Sequence, residues 1–205
     1  MKPVFVGYPI IPNIASGLPD EPTLRACVTY ALYNGDVPAQ FTELVFLEDE
    51  GGLDVNINST LIKFSAPNLL GVTGDNYVSV IGDALQSVSF QRLQDASDIV
   101  VKNSDFLVDV QFPELSSVSG TLQIVNAPAL IKLRLPKLQT CPSINLSGLA
   151  LGVTHVNQIL SDLVSSGWGA GSTLNIQGGT SSGPSGQGIV DVATLEGRGA
   201  TVTTN

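Results

Sequence analysis

The sequence predicts a mainly β fold: a right-handed β-solenoid with a mixed α/β C-terminal cap and a proline-rich N-terminal segment. Three observations point there. A leucine-bounded stretch recurs four times, as LIKFSAPNL (61–69), LQSVSFQRL (85–93), LVDVQFPEL (107–115) and LIKLRLPKL (130–138). The starts are 24, 22 and 23 residues apart, and a period of about 23 with leucine anchors is the mark of a solenoid. Before each copy lies a second alternating stretch: LDVNI (53–57), YVSVI (77–81), IVVKN (99–103) and LQIVN (122–126), with SINLS (143–147) continuing the series.

Alternation of apolar and polar residues over so few positions fits short strands with one face inward. Within LIKLRLPKL, Leu130 and Leu133 suit a helix, whereas Ile131, Leu133 and Leu135 alternate as a strand; the copies decide for the strand. Two helices do not fit into about 23 residues that also hold two turns. The Val, Ile, Phe and Thr content agrees.

The first 52 residues follow no repeat and hold half of the 12 prolines. TLRACVTYALYN (23–34) satisfies both helix and strand templates, and QFTELVFLEDE (40–50) resembles an incomplete first rung. Residues 1–52 are expected to form an N-terminal cap or an arm that docks on a neighbour.

Residues 53–152 form the repeats. Turn formers separate the two strands of a coil at Asn58-Ser59, Gly82-Asp83, Asn103-Ser104 and Asn126-Ala127. Pro67, Pro113 and Pro136 force a corner after the second strand, because proline cannot extend a ladder. Stacking places Leu61, Leu85, Leu107 and Leu130 in one interior column. One coil cannot bury its own apolar face, so the stack is the folding unit.

Residues 153–205 form the cap that an open stack requires. Thr154 is expected to N-cap a helix over 155–164 with Val156, Ile159, Leu160 and Leu163 on one face, stopped at Gly167-Trp168-Gly169. A strand (172–176), a flexible Gly/Ser surface loop (178–188), a short helix (190–196) and a last strand (200–204) follow.

The stretch FPELSSVSGTLQIVNAPALIKLRLPKL (112–138) resembles the receptor L domain branch of the leucine-rich-repeat solenoids, in which a strand ending in Pro-x-Leu turns through a glycine into the next coil. The likeness covers residues 53–147, and Gln91 departs from it where proline is expected. The tail from 156 to 205 is similar to C-terminal caps of bacterial and bacteriophage leucine-rich-repeat proteins. The resemblance implies a surface or virion component.

Composition narrows the function. Hydrophobic residues make up 43% and charged residues 13%, so Ser, Thr, Asn, Gln and Gly must build much of the surface. The net charge is −9 and no basic cluster exists, which argues against a nucleic-acid partner. No apolar run reaches the roughly 18 residues of a membrane span, and prolines at 3, 9 and 12 break the run a signal peptide needs.

Chemistry finds little purchase. His155 is the single histidine, in the first turn of the cap helix, with no Gly-x-Ser-x-Gly motif to accompany it. Cys27 and Cys141 lie far apart, read as buried free thiols, and with one histidine make zinc improbable. Paired carboxylates are the serious candidates, since β-helical enzymes cut polysaccharides with two acids. Asp95 with Asp98, or Asp105 with Asp109, would qualify, but all four fall near turns and read as solvated. Gly-Trp-Gly-Ala-Gly (167–171) follows a helix and precedes a strand, the reverse of a phosphate loop.

The expectation is therefore a non-enzymatic virion structural protein of a bacteriophage, a head decoration or tail/fibre component, without catalytic, cofactor or metal residues. Its partners would be other virion proteins or itself, through residues 1–52, with a host-surface glycan as a further ligand. A bacterial surface adhesion protein and a polysaccharide-degrading enzyme are the alternatives.

Overall fold

The computed structural model describes residues 63–205, except the side chains at 73–76, together with the strand backbones at 26–30, 39–40, 46–47 and 50–56. The chain forms β1 (Ala26–Tyr30), β2 (Ala39–Gln40), β3 (Phe46–Leu47), β4 (Glu50–Asn56), β5 (Lys63–Ser65), β6 (Gly71–Ile81), β7 (Ser87–Ser89), β8 (Asp95–Lys102), β9 (Asp109–Gln111), β10 (Ser117–Val118), β11 (Thr121–Val125), β12 (Lys132–Arg134) and β13 (Ser143–Asn145). Helix α1 (Val153–Ser166), β14 (Thr173–Asn175), α2 (Gln187–Gly197) and β15 (Thr201–Thr203) complete it.

The strands pair like with like from coil to coil, always parallel. The first sheet runs β1-β4-β6-β8-β11-β13-β14-β15, with β3 on β6 and β10 on β8; the second runs β2-β5-β7-β9-β12. Lys63 pairs with Ser87, Ser87 with Asp109, and Asp109 with Lys132. In the first sheet Val78 pairs with Ile99, Ile99 with Leu122, and Leu122 with Ile144. The result is a β-solenoid of about three turns with two helices at its C-terminal end. The segment 23–34, open between helix and strand in the sequence, contributes β1, and β1, β2 and β3 pair with β4, β5 and β6.

Parallel register converts sequence repeats into interior columns. Leu85, Leu107 and Leu130 are fully buried, as are Leu69, Leu93, Leu115 and Leu138 at the far corner; Leu61 lies outside the described residues. Phe90 and Phe112, one rung apart, stack with centroids 5.6 Å apart and planes 8° from parallel, and Phe64 tilts against Phe90 at 5.5 Å. Ile131 departs from the alternation expected for it: Leu133 and Leu135 are buried while Ile131 is 56% exposed. Leu130 takes the inside of the corner, so the inward parity restarts after the turn and Ile131 falls outside.

Outside the second sheet, polar side chains tie the rungs. Gln91 Nε2 donates to Ser89 Oγ (2.6 Å) and to Gln111 Oε1 (2.7 Å), and Gln111 Nε2 donates to Asp109 Oδ2 (2.6 Å). The residue that replaces the corner proline is thus a rung-to-rung bridge. Gly120 is fixed by close approach: an added Cβ would lie 2.3 Å from Asp98 Oδ1, the atom that accepts the Thr121 N–H at 2.6 Å.

Helix α1 ends the second sheet. Ala66 N–H and Phe90 N–H each donate to the next rung's backbone, to Ser89 O and Gln111 O. At the last rung Leu135 N–H instead donates to Asp162 Oδ2 at 3.0 Å. Arg134 grips the same carboxylate with Nε at 2.7 Å and Nη2 at 2.8 Å, and this hydrogen bonding raises the guanidinium above its ordinary range. Ser166 Oγ donates to Leu138 O and Trp168 Nε1 to Cys141 O, so three side chains of the cap satisfy backbone groups of the terminal coil.

The buried stripe of α1 is Val156, Ile159, Leu160 and Leu163, as expected, together with Asp162. Thr154 is not its cap. The helix starts at Val153 behind an extended Gly152 that makes no side-chain cap bond, and Gly152 O accepts the N–H groups of His155 and Val156. The helix stops at Gly167, whose φ of 88° is the left-handed conformation glycine tolerates. The Gly/Ser loop is not a loose excursion. Thr180 N–H donates to Leu149 O and Ser182 N–H to Leu151 O, Ser181 Oγ accepts Leu151 N–H, and the Asn157 amide bridges to the Ser185 backbone.

Two stability measurements check this account. Leu107→Ala is expected to cost about 2–5 kcal/mol in urea denaturation, as for a leucine in a closed core; a loss below about 1 kcal/mol would place Leu107 outside the column. Asp162→Ala strands a buried N–H and is expected to cost about 2–4 kcal/mol. Arg134→Ala should cost about 1–3 kcal/mol, since it removes two charge-assisted bonds and leaves the buried Asp162 carboxylate with neutral donors alone.

Candidate functional site

One corner of the coil concentrates the accessible features. It forms where each coil leaves the first sheet for the second. Asn103 and Asn126 sit there with φ of 60° and 55°, and Gly148 and Gly178 take the equivalent positions at 71° and 88°. Asparagine and glycine are the residues that adopt this left-handed turn most readily, so in these four rungs the corner is written into the sequence one residue at a time. Asn126 Nδ2 donates to Asn103 Oδ1 at 3.0 Å, and the buried Ser104 donates from Oγ to Leu85 O.

Beyond these asparagines the turn exposes Asp83 in one coil and Asp105 in the next. Asp83, Asn103, Asp105 and Asn126 line a shallow concavity of about 230 Å³. Neither aspartate is engaged by another described side chain. Beside it, Phe106 is 61% exposed, Val108 40% and Ile131 56%. Val108 and Ile131 hold one position in successive coils, linked by Ile131 N–H to Val108 O at 3.2 Å. Apolar side chains thus form a ridge along the solenoid axis beside a polar hollow.

The carboxylates weighed as a catalytic pair sit in different surroundings. Asp98 accepts the Thr121 N–H, and Asp95 is exposed at the start of β8. Asp109 is held by Lys132 Nζ at 3.2 Å and by Gln111, while its Oδ1 is buried without a described partner. Asp105 belongs to the corner hollow. His155 is half-buried in the first turn of α1. Among the described residues, no group of three or more His, Cys, Asp and Glu could hold a metal ion, and no helix is long and apolar enough to cross a membrane.

Cys141 is a free, buried thiol, as expected; the Cys27 side chain lies outside the described residues. Burial pushes the Cys141 thiol up to about 11 from an ordinary 9.0. Gly167, Gly169 and Gly171 take φ of 88°, 148° and 67°, serving turns around the buried Trp168. The Arg134–Asp162 clamp and the corner ridge were missed in the sequence. The clamp left one signal, an aspartate set within the apolar stripe of a helix.

Fold and surface together define a β-solenoid with an accessible corner ridge. No protein-family model matches the chain and no solved structure matches it. The chain is similar to the cell wall protein ecm33 of Schizosaccharomyces pombe, 28% identical over 115 residues, which is 55% of this chain and 27% of that protein.

The thiol gives a pH test. Its raised value means the folded chain keeps a proton that the unfolded chain releases, so the stabilisation is fully present below pH 9 and is lost as pH rises through about 11. The stability difference between the protein and Cys141→Ala, measured by urea denaturation, should be flat below pH 9 and fall above it; a pH-independent difference would contradict the burial described.

Proposed function

We propose that the protein is a non-enzymatic interaction scaffold and a structural component of a bacteriophage particle, in a head decoration or a tail or fibre. On this reading the solenoid is right-handed, with a period of about 23 residues and of the leucine-rich L-domain type. The observation that carries it is the group of exposed apolar side chains at the solenoid corner, Phe106, Val108 and Ile131, with Val153, Ile189 and Val190 as further exposed apolar residues on the C-terminal helices. The charged fraction of 13% and the resemblance of the tail to phage-type caps support the location. Residues 1–52 supply the second attachment element through the stretch that precedes β1, where prolines at 3, 9, 12, 19 and 22 lower the entropy lost on docking.

A second reading, a cell-surface adhesion protein, is favoured by the similarity to a cell wall protein. Fractionation separates the two. On the first reading the protein copurifies with particles, and Phe106→Ser/Ile131→Ser folds normally but is lost from them by at least about tenfold, the scale of two interface anchors. Recovery with cell envelopes and never with particles would favour the second reading. Deleting residues 1–18 should likewise leave a folded solenoid that no longer joins its assembly.

The non-enzymatic part has its own check. Incubation with polysaccharides and esters should give no turnover; turnover abolished by Asp105→Asn or Asp109→Asn would make the protein a hydrolase.

A further inference from the structure

The outer face of the first sheet changes character toward the C-terminal end. Register pairs Thr121 with Ser143, Ser143 with Thr173, and Thr173 with Thr201, and two residues on pairs Gln123 with Asn145, Asn145 with Asn175, and Asn175 with Thr203. The residues between them, Leu122, Ile144 and Leu174, are buried, and Val202 packs against the core. Alternation therefore turns the eight flanking side chains outward. They make two columns of hydroxyl and carboxamide groups, about 4.8 Å apart between rungs and about 6.6 Å apart along each strand.

This array contains no charge in a chain of net charge −9. In the rung before it, Asp98 and Lys102 are charged, and Asp98 is occupied by the Thr121 N–H. Two of the three carboxamides are also oriented. Asn145 Oδ1 accepts Ser147 N–H at 3.1 Å and Asn175 Oδ1 accepts Gln177 N–H at 2.9 Å, which leaves each NH₂ as a fixed donor. Thr173 Oγ1 makes a long 3.4 Å bond to Pro142 O. Past Asp98, the same position in the next rung back is Tyr77, 40% exposed on β6.

We propose that this face binds a neutral, linear polysaccharide lying along the solenoid axis. The inference deepens the surface-scaffold reading and rests on it. Sugar hydroxyls both donate and accept, and a periodic set of uncharged donors and acceptors matches a polymer of such groups without desolvating a charge. The unequal reach of Gln, Asn, Ser and Thr along the columns favours the staggered hydroxyls of a sugar chain over the flat lattice of ice.

The test is cosedimentation of the full chain with insoluble cellulose, chitin and β-1,3-glucan, with heparin resin as the charged control. Retention is expected on at least one neutral polymer and not on heparin. Thr173→Ala/Thr201→Ala/Thr203→Ala should weaken it by about tenfold or more, for three lost neutral hydrogen bonds. Gln123→Ala, inside the sheet, should weaken it too, and Phe106→Ser should not. No retention on any neutral polymer, or equal retention by the triple and Gln123 variants, overturns the proposal. Ice shaping without polymer retention overturns it as well and assigns the face to ice. A protein found in particles yet not retained sinks only this inference; loss of particle association in the Phe106 variant addresses the scaffold reading separately.

Discussion

Parallel pairing of like positions from one coil to the next is the constraint on which the structure depends. It leaves every rung with one row of unpaired backbone groups, satisfied only by the rung that follows. Repetition solves the problem everywhere except at an end, and there the chain changes its chemistry. Asp162 supplies an acceptor for Leu135 N–H where a further rung would have offered a carbonyl, while Ser166 and Trp168 supply donors for Leu138 O and Cys141 O. Sheet one continues past that point through β14 and β15, so α1 closes only the shorter sheet.

The same pairing separates inside from outside. Inside, it lines up leucines and the phenylalanines 64, 90 and 112, whose burial drives folding. Outside, it aligns whatever the alternate positions hold. The second sheet shows a charged and amide ladder through Asp109, Gln111 and Lys132, and the C-terminal rungs of the first sheet a neutral one. At the corner, parity restarts and leaves Phe106, Val108 and Ile131 in the open. The proposed functions therefore use positions the core does not need.

Much of the fold was legible because its determinants are local or periodic. Leucine spacing located both sheets, and the apolar stripe of α1 appeared residue for residue. Four things were not legible. The short ladder formed by 71–72, 95–96 and 117–118 is two residues long per rung, below what alternation can signal. The loop at 178–188 has the composition of a flexible linker, yet its backbone finds partners at Leu149 and Leu151, about thirty residues away in sequence. The corner ridge was hidden because Ile131 obeys strand alternation on paper; only the turn at Leu130 expels it. The Arg134–Asp162 clamp joins residues with no shared motif, and nothing but the fold brings them together.

Native-state hydrogen exchange of the Leu135 amide, read by NMR in the protein and in Asp162→Ala, tests the closure of the stack most directly. The account predicts that this amide is protected in the intact protein as strongly as those of Val88 and Val110 within the second sheet. It also predicts that protection at Leu135 collapses in the variant while Val88 keeps most of its own. A Leu135 amide that exchanges in the intact protein as fast as an exposed turn, or one that Asp162→Ala leaves unchanged, would contradict it.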